Sequence, residues 1–274
     1  MKLVYLGTPE MAVPPLRAVA AAGHEVLLVV TGADKRRGRR GEPTPSPVKA
    51  AATQLGLRVT HDIADVHAVA DRAELGVVVA FGKIIKPDIL DALRMINVHF
   101  SLLPRWRGAA PVERALLAGD EETGVCIMAV EEGLDTGGVY AREVVPIGPR
   151  DTAAELRSTL VEVGSRLLVE TLDRPLASWI DAPEPQAGPA TYAEKFSAAD
   201  FEIDWDAPVE EIDRLIRVGG AWTTFRGRRL KIHGAELDDG RLVPTRVQPE
   251  GKPAMDFDAW RNGARPVAGE LFGP

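Results

Sequence analysis

The chain is predicted to fold as an α/β protein, an open and mostly parallel sheet with helices on both faces, followed by a small β module. Apolar strand-like runs alternate with helical patterns over the first 100 residues, the signature of repeated β-α-β units. Two further runs, "TGVCIMAV" and "GGVYAREVVPI", read as an antiparallel pair around the Gly-rich turn "EEGLDTGG". Beyond residue 200 the strand-like pieces are short and turn-bounded, as in a separate β module.

"KLVYLG" is a buried strand ending at Gly7, and Thr8-Pro9-Glu10 then opens a helix, with Thr8 as N-cap and an acid in the first turn. That helix, "EMAVPPLRAVAAAG", carries Pro14 and Pro15, which distort its first turns, and "HEVLLVVTG" follows as a second strand. The rhythm continues with helix "SPVKAAATQLG", strand "LRVTH", a helix near residues 64–73, strand "LGVVVAFG", helix "KPDILDAL" and strand "INVHFSLL". This is a Rossmann-like arrangement, with ligands expected beyond the carboxyl ends of the strands. Its first turn, "GTPEMA", lacks the G-x-G-x-x-G spacing that lets a backbone approach a pyrophosphate, so no dinucleotide is expected. Helix "GAAPVERALLAGD", the antiparallel pair and an amphipathic helix at 151–173 complete a domain over residues 1–180. Residues 181–199 are assigned as a linker, because "DAPEPQAGPA" is rich in Pro, Gly and Ala without periodicity. Residues 200–274 form the β module, with helix "PVEEIDRLIR" and strands within "TTFRGRRLKIHGAEL" and "GRLVPTRVQ"; the last ten or so residues read as irregular.

Composition narrows the function. A chain of 274 residues, 45% hydrophobic and 27% charged, can bury a sizeable core, and no apolar run is long enough to span a bilayer, so a cytoplasmic protein is expected. The single cysteine, Cys126, sits in an apolar run and reads as a buried hydrophobe, which excludes disulfides and cysteine metal sites. A net charge of −7 argues against a generic nucleic-acid binder. Two basic clusters stand against that average: "KRRGRR" at 35–40, and six Lys or Arg without an acid over 214–231. Each alone reads more readily as a solvated surface.

The chemistry concentrates in "NVHFSLLP". Alternation on a strand turns Asn97 and His99 to one face and Val98 and Phe100 to the other, at the carboxyl end where this class has its crevice. Pro104 cannot donate to a ladder and ends the strand, leaving main-chain groups of Ser101 to Leu103 for a planar ligand. The Gly-rich turn places Asp135 where it can orient the imidazole. An amide, an imidazole and a carboxylate suit acyl transfer: one group to hold an oxyanion, one to move a proton, one to tune it. No G-x-S-x-G elbow is present, and Ser101 is not expected to be a nucleophile.

"NVHFSLLPRWRGAAP" followed by "GLDTG" resembles the formyltetrahydrofolate-dependent formyltransferases, over roughly residues 1–217. Within them "LGTPEMAV", "PSPVK", "AGDEETGV" and "TYAEKFSAADFEIDW" resemble the branch that acts on aminoacylated initiator tRNA. The resemblance implies transfer of a formyl group from 10-formyltetrahydrofolate to that α-amine, with catalytic Asn97, His99 and Asp135 and folate contacts at Ser101, Leu102, Leu103 and Pro104. It implies tRNA contacts in the loop 33–47, with Lys35 and Arg39 as the candidate cations; no metal, no membrane partner and a monomer are expected besides. Against the family's usual second domain, a β-barrel-like (OB-like) module, the tail here is shortened. The basic run 214–231 either compensates or is a solvated strand face. The alternatives are a formyltransferase for a small amine, such as a nucleotide-linked amino sugar or glycinamide ribonucleotide, and a binding protein without turnover.

Overall fold

The computed structural model of the protein describes residues 1–36, 41–238, 240–267, 270 and 272–273; Arg39 lies outside them. The chain opens with β1 (Lys2–Gly7), a 3-10 turn at Glu10–Ala12, α1 (Val13–Ala21), β2 (Glu25–Val30), the two-residue strands β3 (Lys35–Arg36) and β4 (Pro43–Thr44), α2 (Pro47–Gln54) and β5 (Val59–Thr60). A 3-10 helix at Ile63–Ala68, β6 (Leu75–Val79), α3 (Pro87–Ala92), β7 (Met95–His99), β8 (Arg107–Gly108), α4 (Pro111–Ala118), β9 (Glu122–Ala129), β10 (Val139–Pro146) and α5 (Ala153–Leu172) follow. The remainder holds β11 (Tyr192–Ala193), α6 (Val209–Val218), β12 (Trp222–Phe225), β13 (Arg228–Asp238), β14 (Arg241–Pro249), β15 (Met255–Asp256) and α7 (Phe257–Ala264).

Contacts divide the chain into two units. The first comprises Met1–Pro111, Glu122–Pro146 and Arg157–Ala193, the second Val112–Glu121, Ile147–Leu156 and Glu194–Pro274. In the first unit, seven strands of the described residues lie in the order β10-β9-β7-β6-β1-β2-β5. β5, β2, β1, β6 and β7 run parallel, and β9 and β10 add the antiparallel edge that the sequence predicts. The order reverses beside β1, with β2 on one side and β6 on the other, which opens the crevice of a doubly wound sheet at the carboxyl edge. Val4, Leu6, Leu28, Val30, Val66 and Val69 form its apolar core, each fully buried.

Three expectations are corrected. Thr8 does not cap the first helix: its hydroxyl accepts from Gly32 N–H at 3.2 Å and donates to the Phe81 carbonyl at 3.4 Å, tying the loops that leave β1, β2 and β6. The helix expected near 64–73 is instead the 3-10 helix Ile63–Ala68. Ile63 and Val66 within it and Val69 just after it face the core at a spacing of three, which suits three residues per turn better than 3.6. Asp62 caps it by accepting from Ala64 N–H at 3.0 Å. The strand expected in "LRVTH" shrinks to Val59–Thr60 at the sheet edge.

In the second unit, β12 to β15 form an antiparallel sheet in sequential order. Ile212 and Ile216 of α6 share a core with Leu230, Ile232, Val247 and Trp260. α7, which the sequence reading omits, contributes Trp260 and Phe257 to that core from only two turns. The basic run 214–231 is partly internal. Arg214 donates to the Leu117 carbonyl at 3.0 Å, and Arg217 pairs at 2.7 Å with Asp213, whose side chain is only 6% exposed. Arg228, Arg229 and Lys231 are exposed.

Candidate active site

β7 is an interior strand, with Asn97 opposite Met128 and His99 opposite Cys126 on β9. Val98 and Phe100 face α5, where a Cβ on Gly164 would lie 3.1 Å from Val98 Cγ1 and 3.3 Å from Phe100 Cε1. Alternation therefore turns Asn97 and His99 to the opposite face, as the sequence predicts. Among the described residues the Asn97 carboxamide has no hydrogen-bond partner, and it is half-buried.

The His99 ring, 5% exposed, is held from two sides. Its Nε2 donates to the main-chain oxygen of Trp106 at 2.9 Å; a carbonyl can only accept, so this nitrogen carries hydrogen. Nδ1 lies 3.6 Å from Asp135 Oδ2, too far for a direct hydrogen bond and close enough for a shared oxygen or a water to bridge. The same carboxylate oxygen accepts the Gly108 N–H at 2.7 Å. Asn97 and His99 on β7 and Asp135 in the β9–β10 loop thus include one tight grouping, the His99–Asp135 pair, joined through residues 106–108.

Backbone strain accompanies that pair. Trp106 has φ 63° and Asp135 φ 50°, left-handed conformations that cost a side-chain-bearing residue about 1–3 kcal/mol. One turns a carbonyl toward His99 and the other a carboxylate. Gly137 completes the second loop because a Cβ there would collide with the Ala129 carbonyl.

The turn Ser101 to Pro104 follows directly. Ser101 is fully buried and its hydroxyl donates to the Arg105 carbonyl at 2.6 Å, so it bolts the turn. Leu103 packs with Cys126, Met128 and Val139, and the Leu103–Pro104 peptide is cis. Burial pushes the Cys126 thiol up, which agrees with an inert apolar role. Lys35 is exposed on the β3–β4 ribbon, where its carbonyl accepts from Thr44 Oγ1 at 3.1 Å. That ribbon follows β2, which lies three strand spacings, about 14 Å, from β7 in the sheet.

Trp106, Gly108, Thr191 and Gln186 were not singled out from sequence. Thr191 Oγ1 accepts the Trp106 N–H at 2.9 Å, and its carbonyl accepts the Arg107 N–H at 2.9 Å. The available signal was that "RWRG" and "TY" stand inside the motifs already quoted. Among the described residues no group of three or more His, Cys, Asp or Glu side chains could hold a metal, and no helix is long and apolar enough to cross a membrane.

The comparisons with known proteins agree with this fold. Residues 1–172 match the formyl transferase family model, and residues 195–241 match the formyl transferase C-terminal domain. Fold and matches together define a formyl transferase, whose one-carbon unit comes from a folate-type co-substrate. The chain is 43% identical over 303 aligned residues to a methionyl-tRNA formyltransferase of Roseobacter denitrificans, covering 99% of each chain. It is 48% identical over 252 residues to one of Dinoroseobacter shibae, covering 88% of this chain and 84% of that one. The chain belongs to the methionyl-tRNA formyltransferase family. Its fold also resembles the methionyl-tRNA formyltransferase from Clostridium thermocellum, with a TM-score of 0.60 at 16% identity over 91% of this chain and 98% of that one. HypX from Aquifex aeolicus in complex with tetrahydrofolic acid gives a TM-score of 0.69 at 13% identity, over 95% of this chain and 47% of that one.

Proposed function

We propose that the protein transfers the formyl group of 10-formyltetrahydrofolate to the α-amine of methionyl initiator tRNA, giving N-formylmethionyl-tRNA and tetrahydrofolate. The observation that carries this reading is the His99–Asp135 pair beside Asn97 at the carboxyl end of β7, in a chain related end to end to methionyl-tRNA formyltransferases.

The donor's formyl group sits on an aniline-type nitrogen whose lone pair is shared with a ring, so its carbonyl carbon is more electrophilic than that of an ordinary amide. The acceptor is an α-amine with a reference pKa of about 7.7–8.0, and much of it is neutral near pH 7 beside an ester. The amine forms its bond to the formyl carbon, the carbonyl π pair moves onto oxygen, and the tetrahedral oxyanion collapses with cleavage of the bond to the folate nitrogen. Asn97 donates an N–H to the oxyanion. Trp106 occupies His99 Nε2, so in the protonated ring it is the Nδ1–H, on the side of Asp135, that donates to the oxyanion. Asp135, through a bridging water, passes the proton released by the amine to the departing nitrogen. The turn Ser101 to Pro104 borders the pterin side through Leu102 and Pro104, with Ser101 and Leu103 buried beneath them, and Lys35 and Arg39 contact phosphates near the acceptor end, fixing its register.

Formylation of charged initiator tRNA, assayed beside amino sugars and glycinamide ribonucleotide, tests the reading. Product on tRNA is expected. Product on the small amines alone, or binding of tRNA and folate with no product, would overturn it.

A further inference from the structure

In the Pro- and Gly-rich stretch 181–190, one side chain uses all of its hydrogen-bonding capacity. Gln186 Nε2 donates to the main-chain oxygens of Asp135 and Gly137, each at 2.8 Å. Its Oε1 accepts from Nε and Nη2 of Arg107 at 3.0 and 2.7 Å. A carboxamide has two N–H groups and two lone pairs, so Gln186 is fully satisfied. Its neighbours Glu184, Pro185 and Ala187 are exposed, and Gln186 itself is half-buried.

The stretch is anchored beside it. Glu184 and Val139 exchange main-chain hydrogen bonds of 2.8 Å, and the Glu184 carboxylate pairs with Arg142 at 2.9 Å. What Gln186 grips is the backbone of one loop that meets at His99 and the Arg107 side chain of the other. One loop carries Asp135. The other carries Arg107, between the Trp106 carbonyl that holds His99 Nε2 and the Gly108 N–H that holds the Asp135 carboxylate.

We propose that Gln186 is a positioning residue for formyl transfer, a strap that clamps the Asp135 loop to the Arg107 loop and so fixes the separation of the Asp135 carboxylate from the His99 ring. This rests on the catalytic reading of His99 and Asp135 given above. The clamp holds the left-handed backbone at Asp135 through carbonyls that a tether without Gln186 would leave to water. The stretch 181–190 is therefore part of the site's frame, in addition to joining two segments of chain.

The chemistry supplies a discriminating variant. Gln186→Glu keeps an oxygen for the Arg107 guanidinium but puts a second oxygen, which can only accept, where Nε2 faced the two carbonyls, so it releases one loop while retaining the other anchor. Gln186→Leu removes both anchors at similar size. In Gln186→Glu, kcat is expected to fall about ten- to a hundredfold, the range that small misplacements of reacting groups produce, with KM for either substrate and the thermal midpoint little changed. The 15N spectrum of the His99 ring is expected to change in both variants, because its Nε2–H and Nδ1 environments depend on residues 106–108 and 135. A folded Gln186→Glu or Gln186→Leu protein with wild-type kcat and a wild-type His99 ring spectrum would overturn the proposal. The ring spectrum needs no acceptor: if the wild type yields no product on methionyl-tRNA, the assigned acceptor fails while the strap is still judged by that spectrum.

Discussion

The main-chain oxygen of Trp106 lies 2.9 Å from His99 Nε2, so a strand-end histidine is held by a carbonyl seven residues further along the chain. Because that carbonyl can only accept, the ring presents Nδ1 to Asp135 and to whatever oxygen enters between them. Asn97, one pleat repeat earlier on β7, supplies an amide on the same side of the sheet.

Asn97→Ala is expected to remove one oxyanion donor. Loss of such a donor costs about 2.7–4 kcal/mol, a decrease of roughly hundredfold to a thousandfold in kcat. The fold should be unaffected, since the Asn97 carboxamide holds no other described residue and its backbone pairing is unchanged. Steady-state formylation kinetics check this, and near-normal turnover would refute the role.

Lys35→Ala and Arg39→Ala are expected to raise KM for tRNA and leave kcat nearly unchanged, since phosphate contacts position the acceptor without touching the formyl carbon. Each lost contact should reduce the steepness of the salt dependence by about one unit. Titrating KM against salt for the two variants measures both effects. A loss confined to kcat would remove these residues from the tRNA surface.

Cys126 is expected to resist an aromatic disulfide reagent in the native protein and to react with one equivalent after unfolding in urea. Its side chain is fully buried and burial pushes the thiol up, so little thiolate forms near neutral pH. Rapid labelling of the native protein would show that the β7–β9 layer opens.

His24 gives the first unit a pH dependence. Burial above all, and then the N-terminal ammonium, lower its pKa from the ordinary value of 6.5, while Asp173 and Glu74 act in the opposite sense. The unfolded chain therefore binds more protons than the folded one below about pH 6.5, and stability falls as pH drops from there toward the lower folded value. Above pH 6.5 this contribution is constant. His24→Gln should flatten the decline between pH 7.5 and 5.5 in urea unfolding; an unchanged slope would show that other groups set it.

Much of the site was legible without coordinates because side-chain patterns have physical periods. The spacing of Asn97 and His99 by two residues assigns them one face of a strand, and the reversal of Val98 and Phe100 toward Gly164 bears this out. The order of strands and helices over residues 2–99 follows from alternating apolar runs, and errors appear where the period is ambiguous, as at Ile63, Val66 and Val69. The segment 181–190 looked like a tether because it has no period at all.

From sequence alone came the α/β order, the polar face of β7, the Gly-rich loop bearing Asp135 and the buried state of Cys126. Only the tertiary structure decided how those groups are held. The Trp106 carbonyl, the Gly108 amide and the carbonyls of Asp135 and Gly137 do the holding, with Gln186 reaching the last two across 51 and 49 positions. Nearly every residue carries such main-chain groups, so their pairing leaves no mark in the pattern of side chains, and it emerges only when folding brings distant loops within hydrogen-bond range.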